Sequence, residues 1–243
     1  MIASLVGSEM CIRDRNNGIA TLFEIRGVGI GKTSFKRRIN SGLAVGFSFL
    51  KTAYENSNFI FNQIDIANTY TNDIVLQHER SIYTDVIKAI DIESNELIDF
   101  STTMHSSKDS YAISKRDRPL AYIIKKNNYG FIEKLNDVGV NYVELEKDTM
   151  IYSGGYKVVE FNNKFKVYEK MKMQKVVTSI EYSNNKFSKG DILISMNQKR
   201  SNLIAELLEP EAPNSYVSFG IIKTSLNKQL PIYSCLLYTS PSP

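Results

Sequence analysis

Histidine and cysteine are nearly absent from this chain, which holds two of each among its 243 residues. His78 is followed by Glu79 one residue on, and His105 has no ligand-type neighbour close in sequence. A metal site of the common kind needs three or four donors converging on one point, so neither histidine reads as a ligand. Both cysteines, Cys11 and Cys235, fall in the terminal stretches, so no disulfide framework or thiolate metal site lies between them. No apolar run approaches the ~20 residues that span a bilayer as a helix. Charge of one sign is also lacking: 30 Lys and Arg against 26 Asp and Glu leave a net +4, which argues against a dedicated nucleic-acid binder. There is no internal repeat and no low-complexity tract.

The two ends are related to one another through the genetic code. The DNA strand complementary to a coding sequence for residues 235–243, read in a shifted frame, gives residues 7–14. Both match translations of a transposase sequencing adapter, one per strand. Residues 1–15 and 235–243 are therefore expected to be adapter-derived artefact and are set aside from fold reasoning. The remainder is expected to be an internal piece of a longer chain. Arg13, Arg15, Glu9 and Asp14 cancel, so the net charge of that piece stays at +4.

What is present is most informative at residues 21–27. Leu22, Phe23 and Ile25 read as a buried strand with Glu24 in its middle, and Gly27 opens a glycine-rich turn. A carboxylate inside an apolar strand loses hydration and needs a partner or a task. An ion pair with Arg26, two residues on, is one answer. A second concerns Gly27, Gly29, Gly31, Lys32 and Thr33, which look like a phosphate-binding loop. That motif needs glycine, four residues, then Gly-Lys-Ser/Thr, and counting back from Gly31 puts Arg26 at the first glycine. The nearest candidate for a later strand ending in a magnesium-binding aspartate, Phe59 to Phe61 leading to Asp65, is poor.

The block from Thr21 to Arg38 closely resembles the segment of zinc carboxypeptidases that carries their catalytic glutamate as Phe-Glu-x-Arg. Residues 118–124 (from Arg118, Pro119 and Leu120 to Ile124) and 207–215 (Leu207, Leu208, Glu209, Pro210, Glu211, Ala212, Pro213, Asn214, Ser215) resemble the region following the catalytic domain in a bacterial branch of that family. The resemblance implies that Glu24 is the catalytic, proton-transferring residue. It also implies a zinc cofactor whose His-x-x-Glu and later His ligands lie upstream of this piece, and a peptide or small amide substrate. It further implies a secreted or periplasmic setting. Gly27, Val28 and Gly29 depart from the Asp-Thr-Gly of the digestive enzymes at this turn. Glu209 and Glu211, beside prolines, read as a surface turn.

Spacing supplies the rest. Phe35, Ile39, Leu43, Phe47, Leu50 and Tyr54 form one apolar helical stripe, with Thr33 or Ser34 as cap and residues 56–58 as the stop. Lys36, Arg37 and Arg38 fall in the first turn of that helix, the unfavourable end of its dipole. A second helix is expected over 72–89 from Ile74, Ile82 and Val86, followed by short strands and polar turns to residue 114. Strand 120–124, helix 129–138 closed by Gly139 and strand 142–145 fit a βαβ unit with parallel strands. Strands are expected at 156–161, 164–169, 176–182 and 191–196, and a short helix at 201–208 ended by Pro210. The lysines at 170, 172 and 175, near Phe165 and Val167, read as the wet face of a strand.

The expected fold class is α/β. Residues 16–58 form the C-terminal strand and helix of a zinc carboxypeptidase catalytic domain. A helical and irregular connector follows at 59–117, and an accessory α/β and β-rich module at 118–234. The parent is expected to be a zinc-dependent hydrolase of peptide or related amide bonds, with this piece alone inactive. The alternatives are a P-loop-like nucleotide hydrolase and a non-enzymatic binding module in which Glu24 is only an ion-pair partner. Lacking a three-donor set, the 243-residue chain should not bind zinc stoichiometrically at submicromolar affinity. Titration calorimetry checks this, and a one-to-one submicromolar isotherm would place a metal site that the sequence does not reveal.

Overall fold

The computed structural model of the chain describes residues 17–19, 23, 25, 31–69, 73–126, 129–168 and 170–236. Helix α1 (Phe35–Glu55) forms along the expected stripe and ends at Asn56, whose side-chain amide donates to Thr52 O at 2.8 Å. The chain does not leave the helical state there. A second helix, α2 (Ser57–Asn68), follows at once, where the sequence suggested at most a poor strand at Phe59–Phe61. Phe59 and Phe61 are exposed, so the apolar triplet that resembled a buried strand lies on a helix surface.

The largest departure comes next. Residues 72–89 do not form a helix: β1 (Ile74–Ile90) pairs antiparallel with β2 (Leu97–Arg116) as a two-stranded ribbon roughly 55 Å long. The expected connector at 59–117 is thus one helix and one ribbon. Ile82 and Val86 lie four apart, a spacing that fits a helical stripe and, being even, one strand face equally well. The deciding residues are Ile74 and Leu76, both buried at the ribbon root, together with the β-branched run through Thr84, Val86 and Ile87. One ribbon face carries Tyr83 opposite Met104 and Ile87 opposite Phe100. The other carries Thr84 opposite Thr103 and the Lys88–Asp99 ion pair.

The remaining strands make one six-stranded sheet in the order β4-β7-β3-β8-β5-β6, with every pair antiparallel. They are β3 (Ala121–Ile124), β4 (Val143–Glu144), β5 (Thr149–Tyr168), β6 (Met171–Phe187), β7 (Ile192–Ser195) and β8 (Gln229–Cys235). The β3–α3–β4 unit, with α3 at Tyr129–Asp137, is present, but its strands are not neighbours. Leu193 of β7 pairs with both Ile123 and Val143, so β7 is inserted between two strands that run in the same direction. A strand arriving fifty residues later leaves no trace in the local spacing. Gly139 ends α3 at φ +67°, a conformation that glycine adopts without strain. Lys172 and Lys175 are exposed on β6, and Lys170 takes the turn at φ +68°. Cys235, expected to be artefact, closes β8: its carbonyl accepts Leu120 N at 2.7 Å, a backbone pairing indifferent to side-chain origin.

Helix α4 (Ser201–Leu208) packs Leu203, Ile204, Ala205 and Leu208 inward, and Pro210 follows its end as expected. The main core joins β3, β5, β7, β8, α3 and α4 around Tyr122, Leu135, Tyr156, Ile194, Ile204 and Ile232. Gly154 sits where β5 meets both β6 and β8; a Cβ there would approach Ile180 Cγ2 to 2.5 Å and Tyr182 Cε1 to 2.7 Å. Gly154→Val should therefore destabilise the chain by about 1–3 kcal/mol through overpacking. Urea unfolding measures this, and an unchanged midpoint would show that β6 can give way.

Candidate functional site

Glu24 lies outside the described residues, as do Leu22 and residues 26–30, so the predicted catalytic position and most of the glycine turn have no geometry to report. Their described neighbours do. Phe23 packs edge-on against Phe49 at 5.8 Å between ring centres, and Ile25 Cδ1 lies 3.1 Å from where a Cβ on Gly42 would stand. Phe23 and Ile25 therefore rest on α1, with Gly42 giving room, but both are exposed and neither lies in a strand, so the buried strand expected here is not found at these two positions. At the head of α1, Ser34 is the cap residue at φ +55° but makes no capping bond with its own side chain. Its hydroxyl instead accepts from Arg37 at 3.2 Å, and Arg38 donates to Gly31 O at 2.6 Å while lying over the Phe35 ring. The basic first turn thus folds back on the preceding loop. Asn17 connects this region to the rest of the chain, donating to Asn68 of α2 and accepting from Asn202 of α4.

Among the described residues nothing covers the apolar stripe of α1. Phe35, Leu43, Phe47, Leu50 and Tyr54 are more than half exposed, Ile39 is 45% exposed, and no residue of α1 is buried. A helix with one apolar face normally buries it.

The polar centre that is fully described lies elsewhere. Glu209, expected in a surface turn, is 0% exposed. The reason is helical phase: Glu209 is four residues beyond buried Ala205, and its N–H still donates to Ala205 O at 2.9 Å. Its side chain therefore continues the inward face of α4. Tyr122 of β3 and Tyr156 of β5 donate their hydroxyls to Glu209 Oε1 at 2.6 and 2.7 Å. Arg116, the last residue of β2, pairs through Nη1 with Glu209 Oε2 and through Nη2 with Glu211 Oε1, both at 3.2 Å. Arg116 also lies over the Tyr156 ring at 5.4 Å. Glu211 accepts from Thr178 N at 2.8 Å and Thr178 Oγ1 at 2.7 Å. Glu206, also buried, takes Asn214 N and Nδ2.

Burial pushes the Glu209 carboxyl above its ordinary range, against the lowering pull of Arg116 and the two tyrosines. The tyrosine hydroxyls are raised well above theirs by burial and by the neighbouring carboxylate. Glu209, Tyr122 and Tyr156 are closed off from solvent and only Arg116 and Glu211 reach it in part, so what this centre can do is hold. It joins the ribbon root, two strands of the sheet and α4 in one charge-assisted network.

His78 and His105 both lie exposed on the ribbon, His78 in the wall of a cavity of about 300 Å³ that also reaches Glu211 and Lys175. Among the described residues no group of three or more His, Cys, Asp and Glu could hold a metal ion, and no helix is long and apolar enough to cross a membrane. The described donors therefore do not fit a zinc centre.

Three fungal proteins are similar to most of the chain. It is 30% identical over 224 residues to carboxypeptidase 2 of Trichophyton equinum, covering 88% of this chain and 41% of that protein. Carboxypeptidase 2 of Trichophyton tonsurans is 29% identical over 219 residues with the same shares. Probable carboxypeptidase 2 of Arthroderma benhamiae is 28% identical over 200 residues, 79% of this chain and 37% of that protein. The chain thus spans about two fifths of the length of these relatives. Carboxypeptidase-type similarity stands, with fungal relatives rather than the bacterial ones the sequence suggested. No protein-family model and no solved structure matches the chain.

Removing Arg116 would leave Glu209 buried without its counter-charge, so Arg116→Ala should destabilise the chain by about 3–5 kcal/mol near neutral pH. A carboxyl raised on folding contributes stability fully below its unfolded value and loses it as pH rises through the folded one. Arg116→Ala raises the folded value further, so the gap between wild type and variant should widen from pH 5 to pH 8. Urea unfolding across that range measures it, and a gap independent of pH would contradict the assignment.

Proposed function

We propose that this chain is part of a zinc-dependent carboxypeptidase-like hydrolase, with residues 16–58 belonging to the C-terminal end of its catalytic domain and Glu24 moving the proton. The similarity of 88% of the chain to proteins named carboxypeptidase 2 carries this reading. The uncovered stripe of α1 supports it, because that face needs a partner which the described residues do not supply. The zinc ligands would be upstream, and the ion would supply an activated water. Glu24 would accept a proton from the attacking water and deliver it to the departing amine, restoring its own charge at the end of the cycle. The contacts of Phe23 with Phe49 and of Ile25 with Gly42 would hold the residues on either side of Glu24 against the helix. The six-stranded sheet and its ribbon would form an accessory unit, joined to the catalytic part through Asn17, Asn68 and Asn202.

In the longer parent protein, Glu24→Gln preserves size and hydrogen bonding but removes the base. Turnover on C-terminal amino-acid release should fall about 10²–10⁴-fold, mainly in kcat, with zinc still bound. Lys32→Ala should leave turnover within a few fold. Near-normal activity of Glu24→Gln would overturn the role of this residue. A dead Lys32→Ala with ATP-dependent activity would favour a nucleotide hydrolase.

A further inference from the structure

A cavity of about 670 Å³ lies where β3 ends, α3 starts and β8 begins. Lys125, Lys223 and Lys228 line it, and no carboxylate side chain does among the described residues. Its apolar wall is made by Ile221 and Pro231, both partly exposed, backed by the buried Phe131, Leu230 and Tyr233. This combination is unusual for a chain of nearly balanced charge. The nearby buried acid, Asp191, is already engaged, accepting from Lys126 N at 2.9 Å and Ser188 N at 2.8 Å. Lys125 is held at the mouth, its ammonium 5.4 Å from the Tyr233 ring centre and 5.6 Å from that of Phe187. A cation positioned over aromatic rings beside an apolar wall suits a ligand with both charge and body.

We propose that this cavity is a binding site for an organic anion bearing two or more negative charges on an apolar or aromatic body. The three ammonium groups neutralise the charges while Ile221 and Pro231, backed by Phe131, Leu230 and Tyr233, cover the body. An inorganic anion would meet only the lysines, and a neutral aromatic only the wall, so each alone binds poorly. None of its lining residues is one that the peptidase reading uses. The cavity is also separate from the Glu209 network, whose groups do not line it.

The test uses the full chain and titration calorimetry with four probes: benzene-1,3,5-tricarboxylate, phenyl phosphate, inorganic phosphate and benzyl alcohol. The tricarboxylate and phenyl phosphate arms separate carboxylate from phosphate chemistry, and binding of either supports the proposal. Inorganic phosphate should bind at least about tenfold more weakly than the better of the two, and benzyl alcohol should not bind measurably. Raising salt from 50 to 500 mM should weaken binding by about tenfold, since part of the charge is solvent-screened. The double variant Lys223→Ala, Lys228→Ala should lose about tenfold or more in affinity. The hydrogen bonds by which the 228 position joins β5 run through its backbone, so the fold does not depend on that side chain. Lys166→Ala with Lys175→Ala, at the separate cavity beside His78, should leave binding unchanged. The proposal is overturned if neither organic anion binds at 1 mM, if inorganic phosphate binds as well as they do, or if the Lys223 and Lys228 variant binds normally.

Discussion

The Glu209 carboxylate is the constraint on which the described architecture depends. A buried ion is costly unless its charge and lone pairs are all answered. Here the answers come from three separate places in sequence: Arg116 at the end of the ribbon, which Glu209 shares with Glu211, Tyr122 on β3 and Tyr156 on β5. Because each group is satisfied only when the others are in place, the network fixes where the ribbon leaves the sheet and where α4 stops. Removing one partner would cost more than the bond it makes. That is how a two-stranded ribbon, marginal in isolation, acquires a fixed root.

Beyond that root the ribbon and α1 share a second property, which is apolar surface without cover. Tyr83, Ile87, Phe100 and Ile98 on one ribbon face, and the stripe from Phe35 to Tyr54 on α1, are exposed in the described chain. A reading in which α1 belongs to a larger catalytic unit accounts for its stripe. It also fits a chain that spans about two fifths of its relatives' length. The six-stranded sheet, by contrast, closes its own core and carries its own candidate ligand cavity.

What was legible in the sequence follows a physical rule. Elements whose pattern is local were found: the α1 stripe, the Gly139 stop and the Leu203–Leu208 helix with Pro210 behind it. Features decided by distant partners were not. The 74–90 strand was read as a helix because a four-residue spacing satisfies both periodicities. β7 entered between β3 and β4 from fifty residues away. Glu209 was read as surface because its proline neighbour suggested a turn, although its place four residues after Ala205 put it on the inward face. No single sequence shows that Arg116, Tyr122 and Tyr156 will meet there. For Glu24 the legible signal was the resemblance of its surrounding block.

The most direct test of the account is amide hydrogen exchange across α1, compared between this 243-residue chain and the longer protein that the peptidase reading requires. If residues 16–58 complete a catalytic domain, α1 amides should exchange quickly here and be protected at least about a hundredfold more in the parent, as tertiary burial of the stripe requires. Equal exchange in the two proteins would mean that α1 completes no larger domain, and the peptidase reading of this segment would fall.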